Sequence, residues 1–214
     1  MKPFPVHSLA CLLLGNLFFV AQAADDPREI SFNQVLKIGD PAPAWTELPG
    51  TDGQKHSLAE LKDTPVVVVV FTCITCPTAT DYEERILASI KHNDSAHAGK
   101  VKLVAINCNK VPGDTLPEMT ARAKEKSLTY AYLHDESQQI AKQYGAITTP
   151  QFFVLDAARK LVFTGALDDA TDAKLVKTDY LQPAIEAALA GKLPEVTNVP
   201  PRGCLIRFVR ERKK

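Results

Sequence analysis

The sequence has no excess of charge of either sign, since 25 Lys and Arg residues stand against 25 Asp and Glu residues. Proteins dedicated to nucleic-acid binding usually carry a basic field, so this balance argues against that function. We interpret the one basic cluster, within residues 207–214, as a solvated tail. Internal repeats and low-complexity segments are also lacking, which favours one medium-sized domain with terminal extensions.

Long hydrophobic runs are missing as well. The apolar stretch of residues 9–20 is too short to span a bilayer comfortably. It follows Lys2 and precedes Ala21-Gln22-Ala23, which offers small residues where a signal peptidase reads them. This pattern predicts a signal peptide over residues 1–23 and a periplasmic or secreted protein without stable membrane insertion. A retained membrane anchor is the alternative.

Cysteine is scarce. Removal of the signal peptide would remove Cys11 and leave Cys73, Cys76, Cys108 and Cys204. A structural zinc site would need a second ligand pair, and Cys108 and Cys204 are isolated with no His close to either, so we expect no metal. An even number of cysteines in an exported chain permits two disulfides.

Strand and helix patterns alternate along the rest of the chain. Val66–Phe71 is a run of six β-favouring residues, which predicts a central strand buried on both faces. An Asp-Gly pair within residues 51–53 predicts a hairpin. One long helix is expected over residues 173–190, with an irregularity at Pro183. Together these patterns predict an α/β fold, with a central mixed β-sheet flanked by helices. The expected boundaries are a linker over residues 24–36, the domain over 37–193 and a C-terminal tail over 194–214.

The motif Cys73-Ile74-Thr75-Cys76 directly follows the predicted central strand. Unpaired N–H groups and the helix dipole favour a thiolate at a helix N-terminus, so we expect a lowered pKa for Cys73. Cys73 would attack a substrate disulfide, and Cys76 would resolve the mixed disulfide. Pro77 suits an early helical position. An inert structural disulfide between the two cysteines is the alternative.

A second motif, Thr148-Thr149-Pro150, precedes another predicted strand. With the CxxC motif it makes the chain resemble the thioredoxin-like superfamily, in particular exported redoxin-domain proteins of the TlpA/AhpC-TSA-like group. The resemblance implies a thioredoxin-like fold and a thiol-disulfide oxidoreductase that needs no cofactor. Its partners would be protein thiols or disulfides and an upstream redox partner. It also implies that Pro150 is a cis-proline facing the CxxC and that Thr149 binds the substrate peptide. The motifs that carry the resemblance are residues 71–77, 82–85, 104–107, 144–146, 149–150, 167–169 and 203–204.

Two other functions remain open. A thiol peroxidase would place Pro and then Thr or Ser at set intervals before its cysteine, and Pro65 lies too far upstream of Cys73 for that pattern. A copper-delivery protein of the same fold would use a cysteine pair and a distant His, here His134, although such proteins usually have CxxxC spacing. The two residues between the cysteines help to set the reduction potential of a CxxC motif. Here they are Ile74-Thr75, whereas thioredoxin has Gly-Pro and strong oxidants have Pro-His, so the direction of disulfide exchange also stays open.

Cys108 follows a predicted strand that ends at the same sheet edge as the CxxC, and Cys204 lies in the predicted tail. We expect a Cys108–Cys204 disulfide that pins the tail over the domain. Two unpaired thiols are the alternative, and exchange between this pair and the CxxC is a further one.

Overall fold

Val66–Phe71 forms β3, the fully buried central strand of a five-stranded sheet, in a computed structural model that describes residues 33–209. The parallel half of the sheet adds β4 (Val101–Asn107) and β5 (Ala131–His134). The antiparallel half adds β7 (Gln151–Leu155) and β8 (Leu161–Gly165), which gives the order β5-β4-β3-β7-β8. The predicted mixed sheet is therefore confirmed.

Helices cover both faces of this sheet. In the described residues they are α1 (Pro77–Asp81), α2 (Glu83–His97), α3 (Leu116–Glu125), α4 (Gln139–Tyr144) and α5 (Leu181–Leu189). On one face, Val66, Val68 and Val70 pack with side chains of α2 and α5. On the other face, Val67, Val69 and Phe71 pack with α4 and the N-terminal segment. The absence of polar alternation in β3 follows from this double cover. No helix among residues 33–209 is long and apolar enough to cross a membrane.

The N-terminal hairpin pairs β1 (Leu48–Pro49) with β2 (Lys55–His56), as the Asp-Gly pair predicts. Packing onto the domain begins before residue 37: Leu36 is buried in the core, and the Asn33 side-chain amide donates to the Tyr144 carbonyl at 2.6 Å. The predicted linker therefore ends earlier than expected. The predicted signal peptide, the rest of that linker and residues 210–214 lie outside the described residues.

The helix predicted over residues 173–190 is wrong in its first half. A short 3₁₀ turn spans Ala173–Leu175, and α5 begins only at Leu181. The Asp179 carboxylate accepts the backbone N–H of Leu181 at 2.8 Å and so supports this later start. Pro183 then lies in the first turn, where the N–H that it lacks would have no partner within the helix.

The C-terminal tail returns to the domain. Its strand β9 (Cys204–Leu205) pairs antiparallel with β6 (Thr148–Thr149), so that Cys204 lies opposite Thr149. Val199 and Ile206 are buried on either side of β9. Backbone pairing and apolar packing thus hold the tail against the domain.

Candidate active site

Cys73 and Cys76 lie in the loop that connects β3 to α1, at the carboxyl end of the central strand. Cys76 is the N-cap of α1, and its sulfur accepts the Ala79 N–H at 3.4 Å. Pro77 occupies the first turn, as predicted. The helix terminus therefore acts on Cys76, whereas the sequence pattern favoured Cys73. The reason is that the helix starts only at Pro77, so the first cysteine remains in the loop.

The side chain of Asp114 holds this loop in place through hydrogen bonds. Its buried carboxylate accepts the backbone N–H groups of Ile74 at 2.8 Å and Thr75 at 3.3 Å, together with the Thr75 hydroxyl. The side-chain amides of Asn107 and Asn109 donate to the same carboxylate at 3.0 and 3.1 Å. Five donors thus converge on one carboxylate, which fixes the backbone between the two cysteines.

The two sulfurs differ in which protonation state the site favours. The pKa of Cys76 is lowered to about 4, chiefly because the Cys73 thiol donates to its sulfur, with further donation from Cys204 and Ala79. The pKa of Cys73 is raised, first by its hydrogen bond to Cys76, then by burial and the Asp114 charge. Because thiolate is the reactive form of a cysteine, the dithiol site places its reactive anion on Cys76.

Thr149 joins the two cysteines to the sheet. Its hydroxyl lies 3.2 Å from the Cys73 sulfur, and its carbonyl oxygen lies 3.3 Å from the Cys76 sulfur, which donates to it in the thiol form. The Thr149-Pro150 peptide bond is cis. The structure thus brings four of the sequence-predicted site residues together at one edge of the sheet.

The predicted Cys108–Cys204 disulfide is absent, and none of the four cysteines among residues 33–209 forms a disulfide. The register of the tail explains this. Cys204 lies opposite Thr149, whereas the tail reaches the neighbourhood of Cys108 only at Arg207, three residues later. There the Gln138 amide donates to both the Cys108 and Arg207 carbonyls. Cys108 is buried, and this burial raises the pKa of its thiol.

The tail covers the reactive pair. Cys73 is 2 % exposed and Cys76 is 1 % exposed, whereas Cys204 is exposed to solvent. Cys204 lies opposite Thr149, whose carbonyl oxygen contacts the Cys76 sulfur, and the proximity of Cys204 helps to lower the pKa of Cys76. A partner therefore reaches the two inner sulfurs only after the tail has moved or through Cys204.

His134 ends β5 opposite Asn107 and is half-buried, and burial lowers its pKa. Among residues 33–209, no three His, Cys, Asp or Glu side chains are grouped so that they could hold a metal ion. The copper alternative, which needs His134 beside the cysteine pair, gains no support from this arrangement.

Three residues of the site were missed by sequence reasoning: Asp114, Asn109 and Gln138. Each acts through side-chain hydrogen bonds between loops, and these leave no periodic signal in the sequence. Asn107 ends β4, the strand adjacent to β3, and Asn109 and Asp114 follow in the next loop. This grouping is the one available signal, because parallel strands end at the same side of a sheet.

Comparison with known proteins agrees with this geometry. The redoxin family profile matches residues 37–180. A hypothetical protein from Sinorhizobium meliloti is 34% identical with a TM-score of 0.73, and the match covers 85% of this chain and 100% of that one. An uncharacterized conserved protein from Geobacillus kaustophilus is 29% identical with a TM-score of 0.76, over 84% and 96% of the two chains.

At lower identity, a peroxidoxin from Mycobacterium tuberculosis is 21% identical with a TM-score of 0.54, over 72% of this chain and 95% of that one, and shows the shared fold. A search of curated protein sequences found no significant match. The family profile covers most of the chain and includes both cysteines of the CxxC motif. The protein therefore belongs to the redoxin family and has a thioredoxin-like fold.

Proposed function

We propose that this protein is a thiol-disulfide oxidoreductase whose Cys73 and Cys76 exchange disulfides with protein thiols. The observation that carries the proposal is the pairing of two thiols across the start of α1, with the Cys76 sulfur as N-cap of that helix. Cysteines at a helix N-terminus and next to hydrogen-bond donors are those that react in disulfide exchange. The redoxin family match supports a redox enzyme in general.

Export to the periplasm or the medium is part of the proposal. It is supported by the sequence pattern of residues 1–23, which ends in Ala21-Gln22-Ala23. An exported redox protein would need an upstream partner that restores its dithiol or its disulfide after each cycle. N-terminal sequencing of the mature protein tests this part, and Ala24 is the expected first residue.

The test of the proposed activity is reduction of insulin disulfides by the full mature chain in the presence of a small dithiol. The wild type is expected to accelerate insulin reduction, and Cys73→Ala and Cys76→Ala are each expected to lose that acceleration. Cys108→Ala is the matched control and should leave the rate unchanged, because Cys108 is buried in a different hydrophobic cluster from Cys73 and Cys76. If the wild type with dithiol reduced insulin no faster than dithiol alone, the proposed activity would be wrong.

The same preparation separates the two alternatives. Dithiol-dependent consumption of hydrogen peroxide without insulin reduction would indicate a thiol peroxidase. Tight copper binding by the reduced wild type that is lost in His134→Ala would indicate a copper-delivery protein.

A further inference from the structure

The tail is fastened to the domain on both sides of Cys204. Before it, the Val199 N–H donates to the Thr164 carbonyl at 3.1 Å. After it, the Ile206 N–H donates to the Ile147 carbonyl, and the Arg207 N–H donates to the Asn109 side chain, both at 2.9 Å. Cys204 is therefore held at a defined place at the sheet edge.

Gly203 lets the tail approach this closely. A Cβ at this position would lie 2.0 Å from the Thr149 carbonyl oxygen, and the backbone adopts a φ of +150°. Only glycine accommodates both conditions without strain. Gly203 thus allows the sulfur of Cys204 to lie beside the CxxC motif.

The three sulfurs form an ordered series from the interior to the surface. Cys73 and Cys76 are buried, and Cys204 is the one of the three that solvent reaches. Cys204 lies opposite Thr149 in the β6–β9 pair, and Thr149 contacts both inner sulfurs, so Cys204 is next to the buried pair. An external protein can therefore meet the third sulfur while the tail stays in place.

We propose that Cys204 is a third redox-active residue that carries the disulfide between the buried pair and an external partner. This inference rests on the proposed exchange activity of Cys73 and Cys76. In the first step, the Cys204 thiolate attacks the Cys76 sulfur of the Cys73–Cys76 disulfide. The Cys76–Cys204 bond forms, the Cys73–Cys76 bond breaks, and the proton lost by Cys204 is replaced by one taken up at Cys73.

In the second step, a thiolate of a partner dithiol attacks the exposed Cys204 sulfur, and Cys76 leaves as a thiolate. The second thiol of the partner then attacks the partner's first sulfur, which is bonded to Cys204. Cys204 is released as a thiolate, and the partner holds the disulfide. One disulfide is transferred, and the partner loses the two electrons that the protein gains. The reverse sequence delivers a dithiol to a partner disulfide.

The pKa shifts of the three sulfurs affect the two steps differently, because the raised pKa of Cys73 makes it the poorer leaving group in the first. The pKa of Cys204 is raised to about 11 in the dithiol form, mainly by its hydrogen bond to Cys76 and then by burial and the Cys76 charge. In the disulfide form Cys76 carries no charge, so the charge contribution to this rise is absent when Cys204 must attack. The lowered pKa of Cys76 makes it a good leaving group in the second step.

A trapping experiment tests the proximity that the relay needs. In the full chain, Cys73→Ala leaves Cys76 and Cys204 to react when glutathione disulfide is added as the oxidant. We expect a Cys76–Cys204 linked peptide as the main product in non-reducing peptide mapping. Cys76→Ala is the matched control and is expected to give mostly glutathione adducts. Glutathione adducts without the linked peptide in folded Cys73→Ala would overturn the proposal.

A kinetic experiment tests whether Cys204 takes part in turnover. Cys204→Ser keeps a hydroxyl donor beside Cys76 but no sulfur, and Cys204→Ala removes both. We expect each variant to reduce insulin about tenfold more slowly than the wild type. If Cys204→Ser reduced insulin at the wild-type rate, Cys204 would act only as a hydrogen-bond donor. If Cys204→Ala reduced insulin faster than the wild type, Cys204 would only shield Cys73 and Cys76 from solvent.

Both of those results would overturn the relay while the wild type remains active. An inactive wild type would instead overturn the proposed function itself, so the two failures can be told apart.

Discussion

At the scale of single residues, Asp114 determines the shape of the reactive loop. Its buried carboxylate has five donors, and two of them are the N–H groups of Ile74 and Thr75, between the cysteines. Removal of an acceptor leaves buried donors unpaired, which costs more than the hydrogen bonds contribute when they are present. The site therefore depends on a residue that no cysteine motif includes.

We expect Asp114→Ala to lower the free energy of unfolding by about 3 kcal/mol, because buried N–H groups and amides lose a charged acceptor. The change is measured by urea denaturation of the reduced protein. Asp63→Ala, at an exposed position, is the control and is expected to change stability by less than about 0.5 kcal/mol. Equal urea midpoints for the two variants would contradict the role of Asp114.

At the scale of elements, the parts with a strong local pattern were predictable. The run Val66–Phe71 identified the central strand, since only a strand covered on both faces lacks polar alternation. The helix of residues 173–190 was not predictable in full, because Asp179 and the turn before it start the helix late. The partner of Cys204 depends on the register of β9 against β6, which two residues of sequence cannot encode.

Gly203→Ala tests how firmly β9 closes the site. A Cβ at this position meets the Thr149 carbonyl, so we expect β9 to detach and the alkylation rate of Cys76 in the folded protein to rise about tenfold or more. Gly191→Ala is the matched control, because its φ of +67° is also positive but no atom lies within 4 Å of the added carbon. Equal alkylation rates for the two variants would show that β9 does not limit access.

At the scale of the whole molecule, the Cys76 thiolate links stability to pH. Its pKa is about 4 in the folded protein against 9.0 in its ordinary state, so between these values the folded state binds fewer protons than the unfolded state. The free energy of unfolding therefore rises with pH across this window, and the contribution is lost as pH falls through 4.

We expect this rise to be steeper for the reduced wild type than for Cys76→Ser across this window, because the serine cannot lose the proton that Cys76 loses on folding. Urea denaturation at several pH values measures both slopes, and comparison with the serine variant removes the contribution of the carboxylates. Parallel slopes would show that Cys76 is a thiol in the folded protein throughout this range.

The donors gathered around the Cys76 sulfur also bear on which way electrons move. They stabilise a negative charge, and a sulfur has that charge only when the disulfide is broken. We therefore expect these donors to raise the reduction potential of the Cys73–Cys76 pair, which equilibration with a glutathione buffer measures.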